Sequence, residues 1–297
     1  MSKSKKTVFI GCATALITPF EAGSVDYKSL GRLIEYQITE GADALVVCGT
    51  TGESATLSDD ERRSVISFTV DKTAGRIPVI AGTGCNNINK AAELSKYASE
   101  CGADAVMTVT PYYNKASAAG LIKSFSKIAD SVKIPVMIYN VPSRTGIDIP
   151  LSVYKELAEH ENICAVKEAS GNIVNIERIV RCCGDKLDVY SGNDDMTLPV
   201  MSVGGKGVVS VVSNILPKKV HEMCMAFIHN DREESLKIQL DLLELIDIMF
   251  FEVNPIPVKT AASIMGLCTS QMRLPLCELE KEKLLKLKET LLKYSIK

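Results

Sequence analysis

The feature that most restricts this chain is an alternation. Eight short, apolar, β-rich runs occupy residues 9–17, 44–48, 78–82, 105–110, 135–140, 163–168, 187–191 and 207–212. Amphipathic stretches lie between them, for example 27–39, 59–73, 89–100 and 117–131. Strands that alternate with helices are expected to run parallel, and eight such units are the number that closes a barrel. The expected fold class is α/β: a (β/α)8 TIM barrel over residues 1–229. After residue 215 the strand signal stops, and helical periodicity continues over 218–229, 233–251, 258–265 and 276–293. The first of these supplies the eighth barrel helix, and 230–297 is expected to form a C-terminal helical domain. Leu236, Leu240, Leu243 and the run from Ile246 to Phe250 make a broad apolar face that must pack on the barrel or on another subunit.

One phrase recurs. Glu40-Gly-Ala-Asp-Ala44 and Glu100-Cys-Gly-Ala-Asp-Ala105 each end a helix and open a strand. The glycine stands where a helix C-terminus favours a left-handed residue.

Composition narrows the function classes. A net charge of −2 over 297 residues offers nothing to nucleic acid or to an anionic membrane surface. No signal peptide or membrane span is recognisable, and the ten cysteines include no Cys-x-x-Cys pair. A cytoplasmic protein with cysteines serving as small buried hydrophobes is expected, rather than a disulfide framework or a zinc site. The lysine-rich ends (Lys3, Lys5 and Lys6; Lys281 to Lys297) read as solvated termini.

In a barrel of this kind, chemistry gathers at the C-terminal ends of the strands. Gly49-Thr50-Thr51-Gly52-Glu53 follows the second run, Thr110-Pro-Tyr-Tyr-Asn114 the fourth, Tyr139-Asn-Val-Pro-Ser-Arg-Thr-Gly146 the fifth, and Ser191-Gly-Asn-Asp194 the seventh. Lys167 ends the sixth run, after Ile163-Cys-Ala-Val166. An amine there is partly desolvated, which favours its neutral, nucleophilic form. Position alone leaves a second reading open, a rim lysine paired with Glu168. Lys206 precedes its strand and so falls at the opposite, stability face.

The neighbouring residues carry the same ambiguity. Tyr139 is either a proton shuttle beside the amine or a rim aromatic with a satisfied hydroxyl. Thr50 and Thr51 either donate to a substrate carboxylate or form a plain turn. Arg144 is either a bidentate carboxylate clamp or a surface loop arginine. The three histidines fall in expected helices, away from the rim, which argues against a metal-dependent aldolase. No H-E-x-x-H, G-x-S-x-G, Walker A or strand-linked G-x-G-x-x-G pattern is present.

Taken in order, the motifs resolve these choices. Gly49-Thr-Thr-Gly-Glu-Ser-Ala-Thr-Leu57, Thr110–Asn114, Tyr139–Gly146, Val166-Lys-Glu-Ala-Ser170, Ser191–Asp194 and Asn254-Pro-Ile-Pro-Val-Lys259 span nearly the whole chain. The chain resembles the pyruvate-dependent lyases of the N-acetylneuraminate lyase superfamily, and most closely their dihydrodipicolinate synthase family.

The resemblance implies that Lys167 forms a Schiff base with pyruvate. It implies a proton relay of Tyr139, Thr50 and Tyr113, with Tyr113 reaching into the partner subunit's site. It makes Thr50 and Thr51 the pyruvate-carboxylate binders. Gly192 and Val209 line the site; the family often has isoleucine where Val209 stands. Arg144 binds the carboxylate of L-aspartate 4-semialdehyde.

The implied reaction condenses pyruvate with that semialdehyde, the entry to diaminopimelate and lysine, with no metal or organic cofactor. The alternative is cleavage of N-acetylneuraminate or a keto-sugar acid, for which an arginine at 144 is less useful. A homo-oligomer is implied, at least a dimer and by family habit a tetramer. Relatives inhibited by lysine bind it near Ser54, Ala55, Asp59, Arg62, Asn86, Lys90 and Tyr112. Lys90 places a cation where the inhibited type carries a glutamate, so weak or no inhibition is expected.

Overall fold

All eight expected strands form; seven are shorter than their apolar runs by one or more residues, and the sixth keeps its full run. The computed structural model describes residues 5–296. The strands are β1 (Gly11–Ala15), β2 (Ala44–Val47), β3 (Val79–Gly82), β4 (Ala105–Val109), β5 (Val136–Asn140), β6 (Ile163–Glu168), β7 (Asp188–Ser191) and β8 (Gly207–Ser210). They close into a barrel in which each strand lies beside its neighbours in sequence. Their residues are buried almost throughout, as the unbroken apolar runs require of strands covered on both faces. A short antiparallel pair, Phe20–Glu21 with Ser24–Val25, follows β1 and was not foreseen in the sequence.

The helices are α1 (Tyr27–Thr39), α2 (Asp59–Thr73), α3 (Ile88–Glu100), α4 (Ala118–Asp130), α5 (Leu151–Leu157), α6 (Ile173–Cys183), α7 (Thr197–Ser202), α8 (Pro217–Ile228), α9 (Arg232–Phe250), α10 (Ile256–Ile264) and α11 (Lys281–Lys293). Short polar residues start many of them. Asp26, Asn87, Ser117, Asn172 and Asp231 each accept a backbone N–H of the first turn. Ser58 and Glu61 form a reciprocal capping box on α2. Gly41 and Gly102, the glycines of the repeated phrase, have φ of +85° and +92°. A Cβ is strained there, so glycine stops each helix.

Two compact units divide the chain. One combines the chain up to Gly11 with Pro78–Val209; the other combines Cys12–Ile77 with the chain from Ser210 onward. In the first, β5, β6 and β7 are in register through Tyr139, Lys167 and Tyr190. In the second, Asn214 binds the end of β1, accepting from Ile17 N and donating to Ala15 O.

Three expectations need correction. Lys5 is not a solvated terminal lysine. Its Nζ donates to Ala158 O, His160 O and Ile163 O at 2.6–2.7 Å, and burial draws its pKa below the ordinary lysine value. Lys3 and Lys297 lie outside the described residues. The apolar face of α9 splits in two: Ile238, Leu242, Leu245, Ile246 and Met249 are buried, whereas Leu236, Leu240 and Leu243 face outward. The two stripes are offset by about two residues, or half a helical turn. The last helix starts at Lys281 rather than at 276: Glu280 is extended, and residues 276–280 form no helical turn. Among the cysteines, Cys182 and Cys277 are exposed; all ten are free thiols.

Candidate active site

Lys167 lies near the C-terminal end of β6 and is 5% exposed. Side chains alternate along a strand, so Lys167 and Glu168 point to opposite faces. Glu168 is engaged on its own side. Its carboxylate accepts from Asn140 Nδ2 at 3.0 Å, from Tyr154 OH at 2.8 Å and from Ser170 N at 2.8 Å. Burial pushes its carboxyl above the usual range, against the pull of those donors. Burial beside that carboxylate also drives the Tyr154 phenol well above its ordinary value. The rim pairing of Lys167 with Glu168 therefore does not form.

Lys167 meets Tyr139 instead. Register places Tyr139 directly opposite on β5, and the Lys167 Nζ stands 4.3 Å from the centroid of its ring. The phenol is 6% exposed. An amine confined against a phenol at the mouth of parallel strands is suited to imine chemistry, in which protons must move to and from nitrogen and oxygen.

Gly192 bounds the same space. Its N–H donates to Glu168 O at 2.8 Å. A Cβ there would lie 2.6 Å from Ala169 Cβ and 3.1 Å from Lys167 Cε. Only glycine lets the β7 loop come this close to the lysine stem.

The loop after β5 carries Arg144. Val141 to Gly146 make one helical turn (Pro142–Thr145) ended by Gly146. Asn140 closes the loop, donating to Asp148 Oδ1 at 2.8 Å while its Oδ1 accepts from Ile149 N at 3.3 Å. Arg144 is exposed at the tip. After β4, Asn86 grips Tyr112 in a reciprocal pair, accepting from its N at 2.8 Å and donating to its O at 2.9 Å. Tyr113 follows at φ +66° and is 96% exposed. Val209 is fully buried in β8, and Lys206 precedes that strand, at the opposite end from the loops.

In the other unit, the loop after β2 is wound by two left-handed non-glycine residues, Cys48 (φ +53°) and Glu53 (φ +52°). Such backbone persists only when its surroundings hold it. Thr18 Oγ1 donates to Gly52 O at 2.8 Å, and Glu53 N to Thr50 O at 3.0 Å. Thr51 is buried and Thr50 is half-buried. Asn254 Nδ2 donates to Thr51 Oγ1 at 3.0 Å. Lys259 Nζ pairs with Glu53 Oε1 at 2.6 Å, with side chains 0% and 1% exposed. Lys259 also stands 4.0 Å from the Phe20 ring centroid, and Arg273 covers that ring at 4.4 Å. Burial lowers the Lys259 pKa, and Glu53 pulls it back up.

Asn254 to Lys259 stand in the sequence as a motif without an expected role. The available signal was Lys259 itself, a cation inside an apolar helix, which must be paired when buried. The network that Glu168 makes with Asn140 and Tyr154 left no sequence signal, because it spans three elements. Among the described residues, no cluster of three or more His, Cys, Asp or Glu side chains could hold a metal ion. No helix among them is long and apolar enough to cross a membrane.

Known proteins share this arrangement of chain. The model of the dihydrodipicolinate synthetase family matches residues 8–294. A 4-hydroxy-tetrahydrodipicolinate synthase of Acetivibrio thermocellus is 51% identical over 98% of this chain and 99% of its own. The crystal structure of a dihydrodipicolinate synthase from Aquifex aeolicus superposes with a TM-score of 0.95 at 46% identity, covering 97% of this chain and 99% of that one. One from Thermotoga maritima gives 0.96 at 38% identity, over 98% and 100%.

Proposed function

The chain belongs to the dihydrodipicolinate synthetase family, and from that premise we propose that it condenses pyruvate with L-aspartate 4-semialdehyde through a Schiff base on Lys167. The observation that carries this reading is the buried amine of Lys167 held against the Tyr139 phenol, with Glu168 turned away from it.

The steps follow from the chemistry. The neutral amine adds to the C2 carbonyl of pyruvate, and the carbinolamine loses water to give an iminium ion. Loss of a C3 proton gives an enamine, whose carbon attacks the aldehyde. The semialdehyde's own amine then adds to the iminium carbon, closes the ring and releases Lys167. Each step moves a proton. Tyr139 is the shuttle next to the nitrogen, with Thr50 and Tyr113 completing the relay. Thr50 and Thr51 bind the pyruvate carboxylate, and Arg144 binds that of the semialdehyde. Gly192 and Val209 form the wall.

Tyr113 acts in the partner subunit's site, which makes at least a dimer necessary; by family habit the working assembly is a tetramer. Its support is an almost fully exposed aromatic on a backbone in the left-handed region, tethered through Asn86 and Tyr112. The outward stripe of α9 is a second apolar surface for a partner. Residues 230–297 form the appendage domain. Ten free thiols suit a reducing cytoplasm. Lysine inhibits weakly at most, because Lys90 sets a cation where an inhibitor's ammonium would sit. A turnover assay showing strong inhibition at low lysine concentration would sink that point.

Borohydride reduction with pyruvate, followed by peptide mass mapping, tests the mechanism. An adduct on Lys167 is expected; one on any other lysine, or none, rejects it. Parallel assays with the semialdehyde and with N-acetylneuraminate separate synthesis from cleavage of a sialic acid.

A further inference from the structure

Asn254 stands 203 residues from Thr51 in sequence, yet its Nδ2 donates to the Thr51 hydroxyl at 3.0 Å, and both residues are buried. A hydroxyl has one proton and two lone pairs. With one lone pair taken by the Asn254 amide, the Thr51 proton is directed elsewhere. A hydroxyl left to rotate could turn its lone pairs toward an incoming anion; this one is fixed as a donor.

Two residues along the loop, Glu53 is held by Lys259, which lies in the same short segment as Asn254. The segment 254–259 thus grips the 49–53 loop at two points. One point sets the backbone through a buried charge pair. The other sets the direction of a single O–H.

We propose that Asn254 is a positioning residue for the carboxylate of the keto-acid substrate, acting by orienting the Thr51 hydroxyl as a hydrogen-bond donor. This rests on the reading of Thr51 as a binder of that carboxylate. Asn254 itself need not touch the substrate. It substitutes a permanent orientation for one that the substrate would otherwise have to impose on binding.

The measurement is the pyruvate concentration that half-saturates borohydride trapping of Lys167, alongside separate KM values for pyruvate and the semialdehyde. Asn254→Ala is expected to raise pyruvate half-saturation roughly tenfold, the size of one oriented hydrogen bond to a charged group. The semialdehyde KM should move less than about twofold on the same scale. Asn254→Asp keeps the shape and so guards against a packing artefact. Its carboxylate draws the Thr51 proton toward itself, so its loss should exceed that of the alanine variant. In the Thr51→Val background, Asn254→Ala should add nothing further.

A shift with Thr51→Val but none with either Asn254 variant overturns the positioning role alone. Additive losses in the double variant, or equal rises in both KM values, overturn it too. No shift with Thr51→Val overturns the reading of Thr51 beneath it.

Discussion

Lys167 and Tyr139 sit opposite each other on adjacent parallel strands, with the lysine Nζ 4.3 Å from the ring centroid. The amine rests on the face of the ring, so the ring and the phenolic oxygen have separable roles. Tyr139→Phe keeps the face and removes the hydroxyl. Turnover is expected to fall by about a hundredfold or more, the usual worth of a positioned acid–base group. The Lys167 adduct with pyruvate should still form, slowly, under borohydride. Rapid-quench trapping checks this; an unchanged rate of adduct formation would remove Tyr139 from the relay.

Arg144 is exposed at the tip of a loop that Asn140 closes. Arg144→Lys keeps the charge but loses the bidentate fork. It should raise the semialdehyde KM by roughly tenfold, and Arg144→Ala by more, since a charge-assisted bond contributes about 1.5–3 kcal/mol. Trapping of pyruvate on Lys167 should be unaffected in both. Steady-state kinetics with each substrate varied in turn decides it, and a pyruvate KM that rises in step would contradict the assignment.

The Lys259–Glu53 pair has almost no exposure. Breaking it leaves the buried Glu53 charge without its ion-pair partner. Lys259→Met should therefore cost about 3–5 kcal/mol, a fall in Tm on the order of 10 °C. Adding Glu53→Gln removes the stranded charge and should recover part of the loss. Differential scanning calorimetry of the two variants is the check; an additive double variant would mean that the pair is not coupled.

Glu61 gives a pH signature. Hydrogen bonds from Arg273 hold its carboxyl at about 2, below the ordinary 4.5. A depressed carboxyl contributes stability above its unfolded value and loses it as pH falls toward the folded one. The window is therefore from about pH 4.5 down to about 2. The site is partly open to solvent, so the contribution is on the order of 1 kcal/mol. Glu61→Gln should lower stability at pH 7 and by progressively less below pH 4.5. Urea unfolding at pH 7, 4 and 3 would show the two curves converging; parallel curves would refute it.

Much of the frame was legible because it is local. β6 spans the residues its apolar run marks, and α1 and α2 match their periodic segments end to end. Period-2 and period-3.6 patterns record burial within one element, so they survive in one dimension. The positions of Tyr139 and Lys167 near the C-terminal ends of β5 and β6 were legible in the same way. The two stripes of α9 were harder, because apolar character alone does not say which side faces solvent.

The sequence by itself determined the barrel, its alternation of strands and helices and the strand end on which the amine stands. Tertiary structure decided which partner each polar side chain takes. It turned Glu168 toward Asn140 and Tyr154, seated Lys5 among three carbonyl oxygens, and joined Asn254 to Thr51 and Lys259 to Glu53 across more than two hundred residues. The reason is physical. Hydrophobic periodicity is a property of one segment against a generic interior, whereas a hydrogen bond or buried ion pair needs a specific atom within about 3 Å, and only the folded chain brings that atom there.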